Sequence, residues 1–568
     1  MNLKEFNNLT DLFFYQSEKQ KQQDIFLEWL NKVSRKKFTW QETENSVFKL
    51  TKTLKQYVKE GDRVLLVSEN RPEWLISDLS IMLSNAITVP AYTTYTENDY
   101  NYLIEDCKPT VVIVSNNTLH RKLEKKIIEK EYIKTVITFE TVTRQDNSKK
   151  YFQINSILKT HLLDADKIKK NNQKRNSPAC IIYTSGTGGN PKGVILSHGG
   201  ILANCEGAFD LLLPLIKKTS PVFLTWLPLS HSYEHTVQFV QILIGAKIFY
   251  AESLEKLLTN MSEAKPTIMT AVPRFYQNLF NKINVNFSKQ KGFKKKLINL
   301  TIEIGTKKLK KIKLKYHEKI IDFFCEKLVR KKVKQQFGGN LQAFVSGGGA
   351  LDQKIGEFLN SIGLPTLQGY GLTEASPVVS CNIPGKIQVE TVGPPFKTNL
   401  VKIAEDGEIL IKGENVMLGY LNKKKETDDI IKDGWLYTGD IGEINEEGNL
   451  KITDRKKELI VNLGGDNISP TKIENLLCLS ENIKQSFVYG DKKNYLVALI
   501  VAEKNINEQE IKKFIENINT KLSLIEKIKK FLVIYDEFTI ENRMLTPTLK
   551  LKRKIILENY KKDLENLY

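Results

Sequence analysis

Cysteine pairs and long apolar runs are absent from this sequence of 568 residues. No two cysteines are spaced as Cys-x-x-Cys, which argues against a zinc site and indicates a reducing compartment. No apolar run approaches the ~18 residues of a membrane-spanning helix. The first residues, MNLKEFNNLTDLFFYQ, lack the basic-then-apolar layout of a secretory signal. We therefore expect a cytoplasmic protein.

Two common nucleotide-binding motifs are missing as well. A Walker A loop places Gly-Lys-Ser/Thr at the start of a helix, whereas here Lys192 precedes Gly193 and the strand-like run VILSH follows. No Gly-x-Gly-x-x-Gly fingerprint precedes a helix. The six histidines form neither a zinc set nor a Ser-His-Asp pattern. The sequence therefore argues against a P-loop NTPase, a dinucleotide-binding Rossmann enzyme and a triad hydrolase.

What the sequence does contain is a large apolar fraction and a local excess of positive charge. Hydrophobic residues make up 41% and charged residues 27%, which is typical of a globular protein with a large core. The net charge is +19, and residues 288–335 alone carry 17 Lys or Arg against 4 Asp or Glu, a local charge of 17 − 4 = +13. The charge is therefore concentrated in one segment.

Strand-like and helix-like segments alternate over most of the chain. Runs such as RVLLVS (63–68) and TVVIVS (110–115) alternate with helical stripes, and a second alternation covers 221–371. This predicts two α/β sheets, mostly parallel. After Gly385 the pattern changes to short strands and turns. Beyond Arg455 a hairpin flanked by helices predicts a smaller α+β domain, so we expect domains at 1–455 and 456–568.

A glycine-rich stretch, Tyr183 to Val194, reads YTSGTGGNPKGV. It offers unhindered backbone N–H groups, hydroxyls and the cation of Lys192, which together suit a phosphate. The local alternatives are a flexible surface turn and a mobile loop that closes over a polyphosphate.

This stretch resembles the phosphate loop of the adenylate-forming superfamily, which includes acyl-CoA synthetases, luciferases and peptide-synthetase adenylation domains. Those proteins usually read Thr-Ser-Gly-Thr-Thr-Gly-x-Pro-Lys-Gly, and Gly188 replaces a threonine, which removes one hydroxyl ligand. The resemblance implies that Thr184 is catalytic and a metal ligand. It also implies that ATP is bound by Thr184, Ser185, Gly186, Thr187, Gly188, Gly189 and Lys192.

The segment QGYGLTEASP (368–377) is similar to the superfamily's Tyr-Gly-x-Thr-Glu motif. Glu374 on its own is an ordinary loop acid, but beside a phosphate loop it is a suitable Mg²⁺ ligand. The resemblance implies that Tyr370 stacks on adenine, Thr373 binds phosphate and Glu374 is catalytic and holds the metal. It also implies nucleotide contacts from Gly348, Gln368, Gly369 and Gly371.

Asp440 and Arg455 are predicted to face each other across a hairpin. A turn at EEGN (446–449) is centred at 447.5, so opposed residues sum to 895, and 440 + 455 = 895. On its own this is a cross-strand ion pair worth under ~1 kcal/mol. In the superfamily both equivalents engage the ribose hydroxyls, and the two interpretations are compatible.

Three further motifs complete the resemblance. Residues 456–470 look like the hinge segment, with Lys457 at the hinge; Asp466 stands where many relatives have lysine, which disfavours a CoA-phosphate contact there. LTPTLKLKRK (545–554) looks like the final motif, whose lysine contacts the carboxylate and α-phosphate: Lys550 aligns best, Lys552 competes, and a solvated basic tail is the alternative. WLPLSHSYEH (226–235) is like the acyl-pocket segment, with His231 near the substrate carboxylate.

The basic segment 288–335 mixes lysines with apolar residues at helical spacing. It suits docking to an anionic bilayer, a solvated helix pair or, least well, a nucleic acid. Long-chain members of the superfamily carry a helical insertion here, which favours the bilayer and a peripheral position on the inner face of the membrane.

Together the motifs most resemble long-chain fatty-acid–CoA ligases. That resemblance implies Mg²⁺ as cofactor and a fatty acid, ATP and CoA as substrates, with acyl-AMP and pyrophosphate formed before transfer to the CoA thiol. The resemblance also implies that the short strands after Gly385 form a distorted β-barrel and that the C-terminal domain is mobile. An acyl-AMP ligase that loads a carrier protein, a medium-chain acyl-CoA synthetase and a degenerate lipid- or nucleic-acid-binding homologue stay open.

Overall fold

The computed structural model describes residues 3–184, 191–217, 219–456, 458–464, 466–504, 506–546 and 549–568. Its strands are, in chain order, β1 (Ile25–Trp29), β2 (Lys36–Thr39), β3 (Arg63–Val67), β4 (Ile87–Ala91), β5 (Val111–Val114), β6 (Thr135–Thr138), β7 (Lys150–Gln153), β8 (Pro178–Thr184), β9 (Lys192–Ser197), β10 (Val222–Thr225), β11 (Lys247–Tyr250), β12 (Ile268–Ala271), β13 (Ala343–Ser346), β14 (Thr366–Gly371), β15 (Val378–Cys381), β16 (Asn399–Ile403), β17 (Glu408–Gly413), β18 (Gly419–Tyr420), β19 (Ile431–Lys432), β20 (Trp435–Ile444), β21 (Leu450–Arg455), β22 (Ile460–Val461), β23 (Asn467–Ile468), β24 (Ile483–Tyr489), β25 (Leu496–Ala502) and β26 (Ile528–Ile534).

Its α-helices are α1 (Leu9–Lys19), α2 (Trp40–Leu54), α3 (Pro72–Leu83), α4 (Glu97–Cys107), α5 (Asn117–Glu129), α6 (Ile154–Leu158), α7 (His198–Ile216), α8 (Ser232–Leu243), α9 (Leu257–Ala264), α10 (Pro273–Ser288), α11 (Gly292–Leu309), α12 (Tyr316–Cys325), α13 (Lys331–Gln335), α14 (Gln353–Ser361), α15 (Lys424–Ile430), α16 (Pro470–Leu477), α17 (Glu508–Asn519) and α18 (Arg553–Glu565).

Two eight-stranded sheets form the body of the large part, as predicted. The first has the order β18-β9-β8-β4-β3-β5-β6-β7 and the second β15-β14-β13-β12-β10-β11-β1-β2. Strands β1 and β2 were not predicted; β1 pairs in parallel with β11, more than 200 residues away in the chain. The polar stretch 142–177 contributes the edge strand β7, which pairs with β6.

The strands predicted as a distorted barrel form a five-stranded antiparallel sheet, β16-β17-β20-β19 with β21 paired to β20. Beyond Arg455, strands β24, β25 and β26 form a separate three-stranded sheet. Helices α16 and α17 pack with one face of it and α18 with β25. This is the predicted α+β unit, and its boundary at 455–456 stays a prediction.

Local sequence signals account for many helix starts. Thr39 accepts a hydrogen bond from the N–H of Glu42 and the carboxylate of Glu42 accepts one from Thr39 N–H, which together form a capping box. Leu50 and Leu54, on one face of α2, are fully buried in the core between α2 and α3. Side-chain caps of this kind fix where a helix begins before any tertiary contact is made.

One helix, α7, is long and apolar enough by length and composition to cross a membrane. Glu206 and Asp210 interrupt its apolar run, so the helix does not stand out in the sequence. Half of the helix is buried inside the structure, and it packs against α8. Core helices of globular proteins meet the same length and composition criteria, so this is weak evidence for a membrane span.

A buried chain of polar groups connects α3, α8 and β8. His235 Nε2 lies 2.8 Å from Asp78 Oδ2, and Cys180 Sγ lies 3.7 Å from His235 Nδ1. All three side chains are fully buried, so this Cys-His-Asp arrangement is closed to any substrate. Burial opposes the charge on His235, but Asp78 and Cys180 outweigh it and raise the pKa of His235 above its usual value. The arrangement is a structural ion pair.

Replacing Asp78 with asparagine should lower the free energy of unfolding by about 3–5 kcal/mol, because the imidazolium of His235 loses its buried counter-charge. A raised pKa stabilises the fold fully below the unfolded pKa of histidine and loses that effect as the pH rises through the folded value. The loss should therefore be larger at about pH 6 than at about pH 9.5 in urea titrations. Asp428→Asn, which breaks an exposed pair with Lys424, is the matched control and should cost under ~0.5 kcal/mol.

Candidate active site

The ends of β8 and β9 bring Thr184 and Lys192 opposite each other. The two strands are antiparallel and their register pairs Thr184 with Lys192, so the predicted strand–loop–strand context is correct. The loop residues between them, Ser185, Gly186, Thr187, Gly188 and Gly189, lie outside the described residues. The ammonium of Lys192 lies 4.7 Å from the centre of the Tyr420 ring, which orients this cation.

Glu374 lies in a short 3₁₀ turn, Thr373–Ala375, directly after β14. The hydroxyl of Tyr420 donates to Glu374 Oε1 at 2.7 Å, and the backbone carbonyl of Glu374 accepts from Met417 N–H. Since Lys192 lies over the ring of Tyr420, this tyrosine links the predicted phosphate lysine to the predicted metal ligand. The hydroxyl of Thr373 lies 2.9 Å from that of Ser232 on α8, which ties the turn to the acyl-pocket segment.

Tyr370, Asp440 and Arg455 form a connected group. The hydroxyl of Tyr370 donates to Asp440 Oδ2 at 2.6 Å and Arg455 Nε donates to Asp440 Oδ1 at 2.9 Å. Burial and the carboxylate of Asp440 raise the pKa of Tyr370. Burial opposes the charge of Arg455, but Asp440 and Glu458 outweigh it and raise its pKa. Asp440 therefore presents a fixed carboxylate and Arg455 a permanent cation beside one aromatic ring.

The pairing of Asp440 with Arg455 is confirmed, although the reasoning that predicted it contained two errors that cancel. Near the turn, Ile444 pairs with Leu450, and the sum of 894 shows that the loop is centred at 447 and not 447.5. A bulge between Ile441 and Gly442 then inserts one extra residue in β21 and restores the sum of 895. The bulge sets which face of the strand carries Arg455.

Lys550 reaches the same group from the C-terminal end of the chain. Its pKa is lowered to about 8, by withdrawal from water and by the neighbouring Arg455, while Glu458, Asp440 and Glu374 oppose the shift. The residue as a whole is exposed, and the charged groups that act on its ammonium are those of the candidate site. Lys552, the competing lysine, begins α18 and its N–H donates to the carbonyl of Met544. The electrostatic contacts favour Lys550.

His231 precedes α8 and caps its first turn. Its Nδ1 accepts a hydrogen bond from Tyr233 N–H at 3.1 Å, so the ring proton must be carried by Nε2. Burial, with a contribution from Lys550, lowers the pKa of His231 to about 3. The ring is therefore a neutral N–H donor near Lys550 throughout the physiological pH range.

The predicted glycines allow backbone conformations and close contacts that other residues would not, and the side chain of Gln368 forms a structural hydrogen bond. Gly348 has φ = +80°, a conformation that favours glycine. A Cβ on Gly371 would lie 2.1 Å from the carbonyl oxygen of Pro377, and one on Gly369 would lie 3.2 Å from that of Ser380. The amide of Gln368 is buried and donates to the carbonyl of Val389 at 2.6 Å. This contact engages the side chain that was predicted to bind nucleotide.

The predicted hinge follows a residue that is anchored to the large part. Lys456 Nζ lies 2.7 Å from Asp406 Oδ2 and 3.1 Å from Glu408 Oε2, and Glu408 also accepts from Gly439 N–H. Lys457 itself lies outside the described residues. Asp466, downstream, pairs with the amide of Asn462. The chain is thus fixed to the large part as far as Lys456, the residue before the predicted pivot.

The C-terminal part touches the large part through α10. The amide of Gln277 donates to the carbonyl of Cys478 at 2.6 Å. All six cysteines are free; five are buried and Cys478 is partly buried. Burial raises the pKa of the Cys478 thiol to about 11.

The donor set fits a hard cation that is held mainly by substrate. The carboxylate of Glu374 and the hydroxyl of Thr184 are oxygen ligands of the kind that Mg²⁺ prefers. Tyr420 engages only one oxygen of Glu374. Within the described ranges no group of three or more His, Cys, Asp or Glu side chains could form an all-protein cage. This agrees with Mg²⁺ that keeps waters and phosphate oxygens as most of its ligands.

A polar cavity of about 490 Å³ lies elsewhere and is lined by Asn7, Asn171, Asn172, Gln173, Lys174, Arg175, Asn176 and Glu414. None of the predicted site residues lines it, so it is not the candidate active site.

Comparison with known proteins identifies the family of this chain. The family model described as AMP-binding enzyme matches residues 13–421, and that of the AMP-binding enzyme C-terminal domain matches 457–568. The long-chain-fatty-acid–CoA ligase FadD15 of Mycobacterium bovis is 29% identical over 90% of this chain and 88% of its own length. The long-chain-fatty-acid–CoA ligase 5 of Rattus norvegicus is 31% identical over 90% of this chain and 81% of its own.

Solved structures share the fold. An anthranilate CoA ligase, AuaEII, in complex with anthranoyl-AMP superposes with a TM-score of 0.79 at 18% identity over the full length of both chains. ATP-bound MatB from Rhodopseudomonas palustris gives 0.74 at 21% identity, covering 98% of this chain and 100% of its own. The chain therefore belongs to the AMP-binding enzyme family within the adenylate-forming superfamily.

Proposed function

We propose that the protein is an ATP- and CoA-dependent long-chain fatty-acid–CoA ligase that releases AMP and pyrophosphate. The observation that carries the proposal is the electrostatic neighbourhood of Lys550, whose ammonium interacts with Arg455, Asp440 and Glu374 from the large part. A fatty carboxylate and an α-phosphate are both anions and require cations where they meet. The relatives named long-chain-fatty-acid–CoA ligase support the substrate class.

In the first half-reaction the fatty carboxylate attacks the α-phosphorus of ATP, the bond to the β-phosphate breaks, and acyl-AMP and pyrophosphate form. Lys550 offsets the charge at the reacting oxygens, and the Nε2–H of His231 donates to the carboxylate. Asp440 accepts from the ribose hydroxyls and Arg455 donates to them, while Tyr370 stacks on adenine. Thr373, Lys192 and the loop before Lys192 hold the departing phosphates.

Mg²⁺, when bound by Glu374 and Thr184, supplies positive charge at the phosphate oxygens. Glu374 is oriented for this by the hydroxyl of Tyr420. In the second half-reaction the CoA thiol attacks the acyl carbonyl, a C–S bond forms and AMP leaves. We propose that the C-terminal domain turns about Lys457 between the two half-reactions, because the preceding residue, Lys456, is anchored to the large part.

The test is a panel of C2 to C20 fatty acids scored by pyrophosphate release with and without CoA. We expect AMP as the nucleotide product and acyl-CoA only with the longer acids. ADP as product, or no product with palmitate- to oleate-length acids, would overturn the proposal. Replacing CoA by an acyl-carrier-protein thiol separates the carrier-protein alternative, and activity centred on C6 to C10 would indicate the medium-chain one.

We also propose a cytoplasmic location, with the protein bound peripherally to the inner face of the membrane. Six free cysteines, five of them buried, suit a reducing compartment. Fractionation of cells expressing the full chain, with and without high salt, tests the location.

The rate of adenylate formation should fall as the pH rises above about 8. The lowered pKa means that Lys550 loses its proton there, and the uncharged amine no longer offsets the charge of the reacting oxygens. The kcat/KM for ATP–pyrophosphate exchange reports free-enzyme pKa values, so it is the quantity to measure. Lys550→Arg keeps the charge and should move the decline to higher pH. A wild-type profile that stays flat to about pH 10 would contradict this assignment.

A further inference from the structure

Exposed aromatic side chains are concentrated in the basic segment 288–335. Within the described residues five aromatic side chains are exposed, and four belong to this segment: Phe293, Tyr316, Phe323 and Phe324. Tyr316 is 81% exposed, Phe323 55% and Phe324 50%. Exposed apolar groups scattered singly are ordinary, but a group of this kind on one short segment marks an interaction surface.

The exposed apolar residues form one stripe on a helix. Ile320 follows Tyr316 by four residues along α12, and Phe323 and Phe324 follow Ile320 by three and four, so the four side chains share a face. The opposite face, with Cys325, Val329 and Val333, is buried in the core beneath. The helix is therefore apolar on both sides, and only one side is covered. We call the uncovered stripe, with Leu328, the docking face.

Positive charge surrounds the docking face and is not neutralised within the segment. All four acids, Glu303, Glu318, Asp322 and Glu326, pair with Lys307, Lys308 or Arg330. Lys319 and Lys327 flank the stripe, and the ammonium of Lys327 lies 4.4 Å from the centre of the Phe323 ring. The lysines thus stand beside the aromatics and can meet an anionic surface at the same moment.

We propose that this face docks on an anionic phospholipid bilayer. Exposed aliphatic side chains distinguish a bilayer from a nucleic acid. Lysines and aromatic rings can bind phosphates and stack on bases. Ile312, Ile320 and Leu328, in contrast, are stabilised only by insertion into a hydrocarbon layer. Each lysine near an anionic surface and each apolar group in the headgroup boundary adds to binding. The benefit to catalysis, delivery of a membrane-dissolved acid, rests on the proposed function, whereas the docking does not.

Sedimentation of the full chain with lipid vesicles tests the proposal. We expect binding to vesicles with about one-third phosphatidylglycerol, much weaker binding to pure phosphatidylcholine, and release at high salt. The pair Phe323→Ser and Phe324→Ser should lower the partition coefficient by about tenfold or more. The pair Lys319→Gln and Lys327→Gln should lower it by roughly tenfold.

A matched control removes equally exposed leucines from other surfaces: Leu400→Ser with Leu524→Ser should leave vesicle binding unchanged. Equal loss in this control, or no binding of the wild type to anionic vesicles, would overturn the proposal. Binding of duplex DNA in place of vesicles would also overturn it. So would a dimer in ultracentrifugation that becomes a monomer when Phe323→Ser and Phe324→Ser are introduced together. Sedimentation needs neither ATP nor fatty acid, so its failure is distinguishable from failure of the proposed activity.

Discussion

Replacing Lys550 with alanine should slow acyl-adenylate formation by about 10²–10³-fold, because a cation that stabilises the charge at the exchanging bond is worth about 3–4 kcal/mol. The transfer of a pre-formed acyl-AMP to CoA should change by less than about threefold, because that step no longer involves the pyrophosphate bond. ATP–pyrophosphate exchange measures the first step, and thioester formation from synthetic acyl-AMP measures the second.

The control for this prediction is two residues away. Lys552→Ala removes the same charge from the same segment, but Lys552 directly precedes α18 and is not among the charges that act on Lys550. It should leave exchange within about threefold of wild type. If Lys552→Ala lost as much activity as Lys550→Ala, the choice between the two lysines would be wrong.

Replacing Glu374 with glutamine should reduce ATP–pyrophosphate exchange by about 10²-fold or more, because a carboxylate ligand of Mg²⁺ becomes a neutral amide. The substitution is nearly isosteric, and the amide oxygen can still accept from Tyr420, so the turn should stay folded. Calorimetry of ATP binding at varied Mg²⁺ provides a readout besides activity: the Mg²⁺ dependence of ATP affinity should flatten. Exchange that continues at the wild-type rate would overturn the metal assignment.

Tyr420→Phe is the graded companion of this variant. It removes the hydroxyl that orients Glu374 but keeps the ring beneath Lys192. The expected loss is smaller, about tenfold, and should appear as a need for more Mg²⁺. Equal losses in the two variants would mean that Glu374 acts through its position in the turn and not through its charge.

Much of the fold follows from periodicity, because buried parallel strands and capped helices are encoded within ten or so neighbouring residues. The two α/β sheets and the capping box at Thr39 were therefore predictable. The pairing of Asp440 with Arg455 was predicted with a compensating error, since neither the centre of a loop nor a bulge is encoded in the turn residues alone. Register arguments of this kind are secure for which strands pair, and less so for which residues do.

Contacts between distant segments could not be predicted. The pairing of β1 with β11 and the chain Asp78–His235–Cys180 join parts of the sequence that carry no shared local signal. Tyr420 was missed for the same reason: it follows Gly419 in an unremarkable LGYLN run, and only the pairing of β18 with β9 brings it to Lys192. Gln368 lay inside a strong motif, yet its partner Val389 is 21 residues away.

The distribution of thiols has a practical consequence. Five cysteines are shielded by the core, so a maleimide dye added to the folded chain would attach at Cys478, where α10 of the large part meets the C-terminal part. While that contact persists, the raised pKa keeps the sulfur protonated and sluggish. Rotation of the C-terminal domain would expose the Cys478 thiol to solvent and increase the rate of labelling. The labelling rate of Cys478 would therefore report the rearrangement of the two parts without an engineered cysteine.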